Sequence, residues 1–172
     1  MIISPFISED DSGTIAFTAY FWGEKGYNAG DLIIFDNILT NIGGYYQNDT
    51  STFICGRAGV YVFSWTIHAW VQLASELMIE NASSHIQTYS FNNYGSTFKK
   101  DLLDTSSVTV IVECYLNQRV WLKSILDDSC ITSYPGIRSL FSGFLVQSFS
   151  WIKLDNRRYV LTFLKLCVYK NL

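Results

Sequence analysis

The sequence predicts an all-β sandwich with jelly-roll connections, and three observations carry that reading. Runs of β-branched and aromatic residues recur along the chain, as in Leu32-Ile33-Ile34-Phe35 and Gly59-Val60-Tyr61-Val62-Phe63-Ser64-Trp65. Clusters of turn-forming residues separate them at short, regular intervals, as in Asn41-Ile42-Gly43-Gly44 and Gln47-Asn48-Asp49-Thr50. Apolar residues do not recur at helical spacing, so no amphipathic helix competes with the strands.

Residues 1–13 carry Glu9, Asp10, Asp11, Ser12 and Gly13 and read as a loose arm. Residues 14–21 form the first strand, and residues 23–30, with three glycines, a loop. Leu32 to Phe35 and the segment ending at Ile42 are expected as the next strand pair. The longest strand candidate is 59–71. Its alternation puts Tyr61, Phe63, Trp65 and Ile67 on a core face and Val60, Val62, Ser64, Thr66 and His68 on the other. Residues 75–81 and 86–92 are its expected partners, followed by a turn cluster over 92–96. Residues 106–115 form a β-branched strand, and Leu116-Asn117-Gln118-Arg119 turns into Val120-Trp121-Leu122-Lys123-Ser124. Asn117 tolerates a left-handed backbone, which such a turn requires. Residues 127–137 are expected as a long loop holding Cys130 and Pro135-Gly136, and 139–146 as the closing strand.

These elements resemble, in order, the globular head domain of complement component C1q. The carrying motifs are Ala16-Phe17-Thr18-Ala19, the Asn41-Ile42-Gly43 turn with an aromatic behind it, and Gly59-x-Tyr61-x-Phe63-Ser64. Downstream follow Glu76-Leu77-Met78-Ile79-Glu80-Asn81, Val120-Trp121-Leu122 and Phe141-Ser142-Gly143-Phe144-Leu145. The style is nearest to the collagen-free proteins of this family found in invertebrates. The resemblance implies the ten-stranded jelly roll of the tumour-necrosis-factor-like superfamily and a compact homotrimer. It divides the chain into an arm (1–13), a C1q-like globular domain (14–147) and an atypical C-terminal extension (148–172). By the same resemblance Phe17, Phe35, Tyr45, Tyr46, Phe53, Tyr61, Phe63, Trp65, Trp121, Phe141 and Phe144 pack the core or the threefold interface.

A chain of 172 residues suffices for one domain with a real core, and 49% hydrophobic with 16% charged residues argues against disorder. The net charge of -3 provides no electrostatic attraction for nucleic acid or an acidic membrane surface. Cys55, Cys114, Cys130 and Cys167 contain no C-x-x-C pair, so a zinc or redox motif is absent. Their spacing leaves the pairing open, and Cys55 and Cys114, in apolar surroundings, also read as buried free thiols. The opening residues do not form a signal peptide. Members of the resembled family are usually secreted, so the true start is expected upstream. The chain has no Gly-X-Y run of its own. Residues 159–169 form an apolar run about half the ~20 residues that a membrane-spanning helix needs.

No catalytic constellation emerges. His68 and His85 are the only histidines, and neither lies at metal-ligand spacing. The expectation is therefore a protein that is not an enzyme and requires no cofactor. Some members of the resembled family bind calcium near the trimer apex, which makes Asp101 and Asp104 candidate ligands. Asn48-Asp49-Thr50 and Asn81-Ala82-Ser83 are glycosylation sequons at expected turns. Loops carry ligand contacts in such folds, so Asp127, Asp128, Tyr134, Arg138, Asn93 and Tyr94 are the candidate ligand-binding residues. The favoured reading is a secreted, lectin-like pattern-recognition trimer of innate immunity that binds microbial surface glycans or another extracellular ligand. The alternative is a cytokine-like or structural trimer that binds a protein receptor.

Overall fold

The computed structural model describes residues 13–70, 72–82, 86–90, 103–154 and 158–162, and every described element is a strand. In chain order these are β1 (Ala16–Tyr20), β2 (Gly23–Tyr27), β3 (Asn37–Ile42), β4 (Tyr46–Gln47), β5 (Thr52–Ile54), β6 (Gly59–Ala69) and β7 (Leu73–Ile79). There follow β8 (Ile86–Ser90), β9 (Asp104–Cys114), β10 (Arg119–Ser124), β11 (Ser129–Ser133), β12 (Leu140–Ser148), β13 (Ser150–Leu154) and β14 (Arg158–Thr162). Two sheets form the sandwich. The seven-stranded sheet runs β2-β11-β6-β12-β1-β3, with β9 on the other edge of β6, and the five-stranded sheet runs β4-β5-β10-β7-β8. β13 and β14 pair with each other as a separate hairpin.

β6 organises the larger sheet. It pairs with β9 from Gly59↔Cys114 to Ala69↔Asp104. Its other edge is shared by β12, at Leu140↔Thr66 through Ser148↔Gly59, and by β11, at Thr132↔His68 and Ile131↔Ala69. Both edges are thus filled by strands distant in sequence. This corrects the expectation that 75–81 and 86–92 flank β6: β7 and β8 pair with each other in the opposite sheet. Adjacency in sequence lost to the jelly-roll crossing between layers.

Two lines of strand in the larger sheet are interrupted, and the interruptions face each other. β1 and β2 lie along β12 and β11 respectively, and residues 21–22 break the first line where residues 134–139 break the second. Counting each broken line once reduces the sandwich's twelve strands to the ten of the jelly roll. Two expectations are corrected here. Gly23–Tyr27 is a strand, because its backbone is drawn into register with β11. The long loop of 127–137 contains β11, so its two ends lie at opposite ends of a strand. Residues 32–35 form no strand pair. Leu32 bridges Lys123 of the five-stranded sheet and the chain then crosses into β3, burying Ile33 and Phe35 on the way.

The core is aromatic. Phe17 stacks on Tyr46 at 4.7 Å and on Phe53 at 4.8 Å between ring centroids, and meets the edge of Phe141 at 5.0 Å. Gly143 sits between Phe17 and Phe63 in register. A Cβ there would lie 2.5 Å from the Phe63 ring and 2.7 Å from that of Phe17, so only glycine lets both rings close over the strand. Tyr61, Phe63, Trp65 and Ile67 all face inward, as their alternation requires. The indole N–H of Trp65 is satisfied by Ser75 Oγ at 2.9 Å. Cys55 and Cys114 are joined by a disulfide with Cα atoms 6.3 Å apart, which corrects the free-thiol reading. The β9–β10 turn brings them together: Asn117 adopts φ +66°, and its N–H donates to the Cys55 carbonyl at 2.8 Å.

Candidate functional site: the outer face of the seven-stranded sheet

Strand alternation, applied across five paired strands, writes a pattern on the solvent side of the larger sheet. One row reads Ile42–Ala16–Phe144–Val62–Ile111 across β3, β1, β12, β6 and β9. Every residue in it is apolar, and Ile42, Phe144 and Ile111 are 49%, 48% and 72% exposed. The next row is Thr40–Thr18–Ser142–Ser64–Thr109, an unbroken line of hydroxyls in which Ser142 donates to Thr18 at 3.1 Å. An apolar row spanning a whole sheet costs solvation free energy unless something covers it. This face is therefore the candidate contact surface.

At the break in the sheet the surface turns aromatic and cationic. The Arg138 guanidinium lies 5.0 Å from the Tyr20 ring centroid and 5.7 Å from that of Trp22, and the two rings meet edge-on at 6.0 Å. Trp22 and Tyr134 remain exposed. Beneath this excursion, His68 contacts the Thr105 hydroxyl through Nδ1 at 2.8 Å, and its backbone N–H donates to Ser139 Oγ at 2.9 Å. Burial pushes the His68 imidazole below its usual range, partly offset by a backbone hydrogen bond with Arg138. The folded protein therefore holds His68 neutral where the unfolded chain binds a proton. Stability contributed by His68 is present above about pH 6.5 and is lost as pH falls below it. Melting between about pH 7.5 and 5.5 should show a smaller drop for His68→Gln than for the parent chain. An equal drop would remove His68 from the account.

The sequence-predicted residues divide. Arg138 comes together with Tyr20 and Trp22, which sequence reasoning missed; the signal needed was the register of β1 against β12. Tyr134 is exposed on the preceding turn, where it bridges Ile137. Asp127 and Asp128 lie at the other end of β11. Asp127 accepts the Ala29 N–H at 2.9 Å, and Asp128 occupies a left-handed turn position at φ +53°. Asn93, Tyr94 and Asp101 lie outside the described residues. Asp104 accepts the Thr105 N–H at 2.8 Å, and among the described residues no three His, Cys, Asp or Glu side chains converge. Asn48 and Asn81 are exposed at turns, Asn81 with φ +58°. Phe17, Phe35, Tyr46, Phe53, Tyr61, Phe63, Trp65 and Phe141 are buried, and Tyr45 is partly buried against Gly56. Phe144 belongs to the outer row described above. Trp121 lies partly exposed on the outer face of the five-stranded sheet, because Val120 and Leu122 on either side of it point inward. Cys130 carries a free thiol, its pKa raised by burial and then by the Glu24 carboxylate. No described helix is long and apolar enough to cross a membrane.

Comparison with known proteins agrees with this geometry. The C1q domain family matches residues 16–146. The chain is 31% identical over 116 residues to the mouse complement C1q tumor necrosis factor-related protein 7, covering 66% of this chain and 38% of that protein. It is 33% identical over 138 residues to the mouse collagen alpha-1(X) chain, covering 76% of this chain and 18% of that one. The chain thus spans less than half the length of these relatives. Among solved structures it is similar to the globular domain of the zebrafish complement 1qA protein, with a TM-score of 0.62 at 18% identity, covering 78% of this chain and 98% of that one. It is also similar to the Eiger TNF of S. frugiperda, with a TM-score of 0.63 at 10% identity, covering 85% and 99%. The matched span opens at Ala16 of β1 and closes at Val146 of β12, taking in both sheets of the sandwich, and the chain belongs to the C1q domain family, a family of non-catalytic binding domains.

Proposed function

We propose that this chain is one protomer of a secreted, homotrimeric recognition protein of lectin-like, pattern-recognition type. It acts in innate immunity by binding microbial surface glycans or another extracellular ligand. The observation that carries the assembly is the apolar row Ile42–Ala16–Phe144–Val62–Ile111. Three copies arranged about a threefold axis cover this face on every protomer without leaving a free edge. The hydroxyl row beside it provides polar groups that hydrogen-bond in pairs at the rim. Three identical sites on one trimer then engage a repetitive surface together, so weak individual contacts become strong jointly. The cluster of Tyr20, Trp22 and Arg138, with exposed Tyr134 on the preceding turn, is the loop-built contact this reading favours.

Light scattering tests the assembly. The parent chain is expected at three times 19.6 kDa. Phe144→Asp combined with Ile111→Asp should bring it to the mass of a single chain, because two buried unpaired carboxylates oppose contact. A parent chain that runs as a monomer would remove the avidity mechanism. The residue types Trp22, Tyr20 and Arg138 also suit a protein partner, since these side chains dominate interface hot spots. Saturable capture of one membrane protein, with a blank glycan array, would favour a cytokine-like or structural trimer instead.

A further inference from the structure

A second surface lies on the opposite side of the sandwich, where trimer contacts through the seven-stranded sheet leave it open. Gln47 and Thr52 are register partners at the free edge of the five-stranded sheet, and Ile54 is the register partner of Arg119. All four side chains face outward, because Tyr46, Phe53 and Val120 between them are buried. With Asp49 and Thr50 from the β4–β5 turn, they line a cavity of about 250 Å3. That is below the ~300–1,000 Å3 of pockets for drug-sized ligands and suits a single sugar ring.

The cavity is held in shape before any ligand arrives. Ser51, buried and at φ +47°, accepts the Phe35 N–H at 2.8 Å and so ties the turn to the core. Asp49 Oδ1 accepts the Thr50 N–H at 3.0 Å, and Thr52 Oγ1 donates to the Thr50 carbonyl at 2.9 Å. Among the described residues Arg119 forms no ion pair, and its planar guanidinium offers a fork of donors. One cation and one carboxylate leave the cavity without net charge.

We infer that this cavity binds a neutral sugar unit. A sugar's vicinal hydroxyls each donate and accept. They require a donor on one wall and an acceptor on another, which Arg119 and the Asp49 carboxylate supply. Ile54 offers an apolar patch to the C–H face of the ring, and Thr50, Thr52 and Gln47 complete the polar lining. This inference rests on the multivalent-recognition reading and assigns it a ligand class and a second site.

Saturation-transfer NMR with the methyl glycosides of galactose, mannose and N-acetylglucosamine at millimolar concentration tests it. The full chain is used, prepared without an N-glycan on Asn48, the neighbour of Asp49. At least one glycoside should receive saturation. Arg119→Gln and Asp49→Asn should each weaken binding about tenfold or more, as loss of a charged hydrogen-bond partner does. Glu24→Gln, an exposed position on β2 of the other sheet, should leave the signal unchanged. No transfer to any glycoside, or transfer that survives both cavity substitutions, would overturn the inference. Capture on polysaccharide beads separates it from the functional reading. If the trimer is captured and both cavity variants are captured equally, this site falls and the recognition reading stands. If the beads capture nothing and no glycoside receives saturation, both fall.

Discussion

Phe17→Ala is expected to cost about 3–5 kcal/mol of folding stability, the usual range for removing a buried phenylalanine. Phe17 is the hub of the core: its ring contacts Tyr46 and Phe53 face to face and Phe63 and Phe141 at an angle, with centroids 4.7 to 6.3 Å apart. It joins the two layers, since Phe63 and Phe141 belong to the seven-stranded sheet and Tyr46 and Phe53 to the five-stranded one. These neighbours are large, rigid rings on hydrogen-bonded strands, so they cannot collapse into the space vacated. The loss compares with the whole ~5–15 kcal/mol that a domain of this kind possesses. Urea unfolding followed by tryptophan fluorescence provides the measurement, with Trp121→Leu as a substitution outside the core. A Phe17→Ala midpoint close to that of the parent chain would show that the layers are joined elsewhere.

Replacing both Cys55 and Cys114 by valine should cost about 4 kcal/mol, the loop-closure value for a crosslink spanning roughly sixty residues. The two are 59 apart in sequence and both wholly buried. The crosslink ties the end of β5 in one sheet to the end of β9 in the other, so the unfolded chain without it gains the freedom of the intervening segment. The native protein should resist alkylation at these positions until it is reduced. A double variant that melts within a few degrees of the parent would mean that packing around the pair, not the covalent bond, holds this end of the sandwich.

Local features of this fold were legible in the chain itself. The inward face of β6 followed from alternation alone, because a period of two decides which side chains share a face. The turn at Asn117 followed from the tolerance of asparagine for positive φ. The motif ending in Phe141-Ser142-Gly143-Phe144-Leu145 placed the closing strand. Non-local features were not legible. The partners of β6, the pairing of Cys55 with Cys114 and the strand hidden inside residues 127–137 all depend on contacts between segments tens of residues apart. No local pattern encodes those contacts.

The candidate sites divide in the same way. Arg138 and Tyr134 were recognisable by residue type beside a turn, but Tyr20 and Trp22 met Arg138 only because both lines of strand break at the same level. Neither the apolar row nor the hydroxyl row exists in any one segment: each draws a single residue from each of five strands. The cavity at Arg119 likewise needs β10 beside β5, and Asp49 carried on a turn that buried Ser51 ties to Phe35. Amino-acid type and alternation determined the class and the inward faces, and the resemblance of the ordered motifs pointed to the family. Register and sheet order decided which outward residues became neighbours, since side chains meet across strands through backbone pairing that only the folded chain completes.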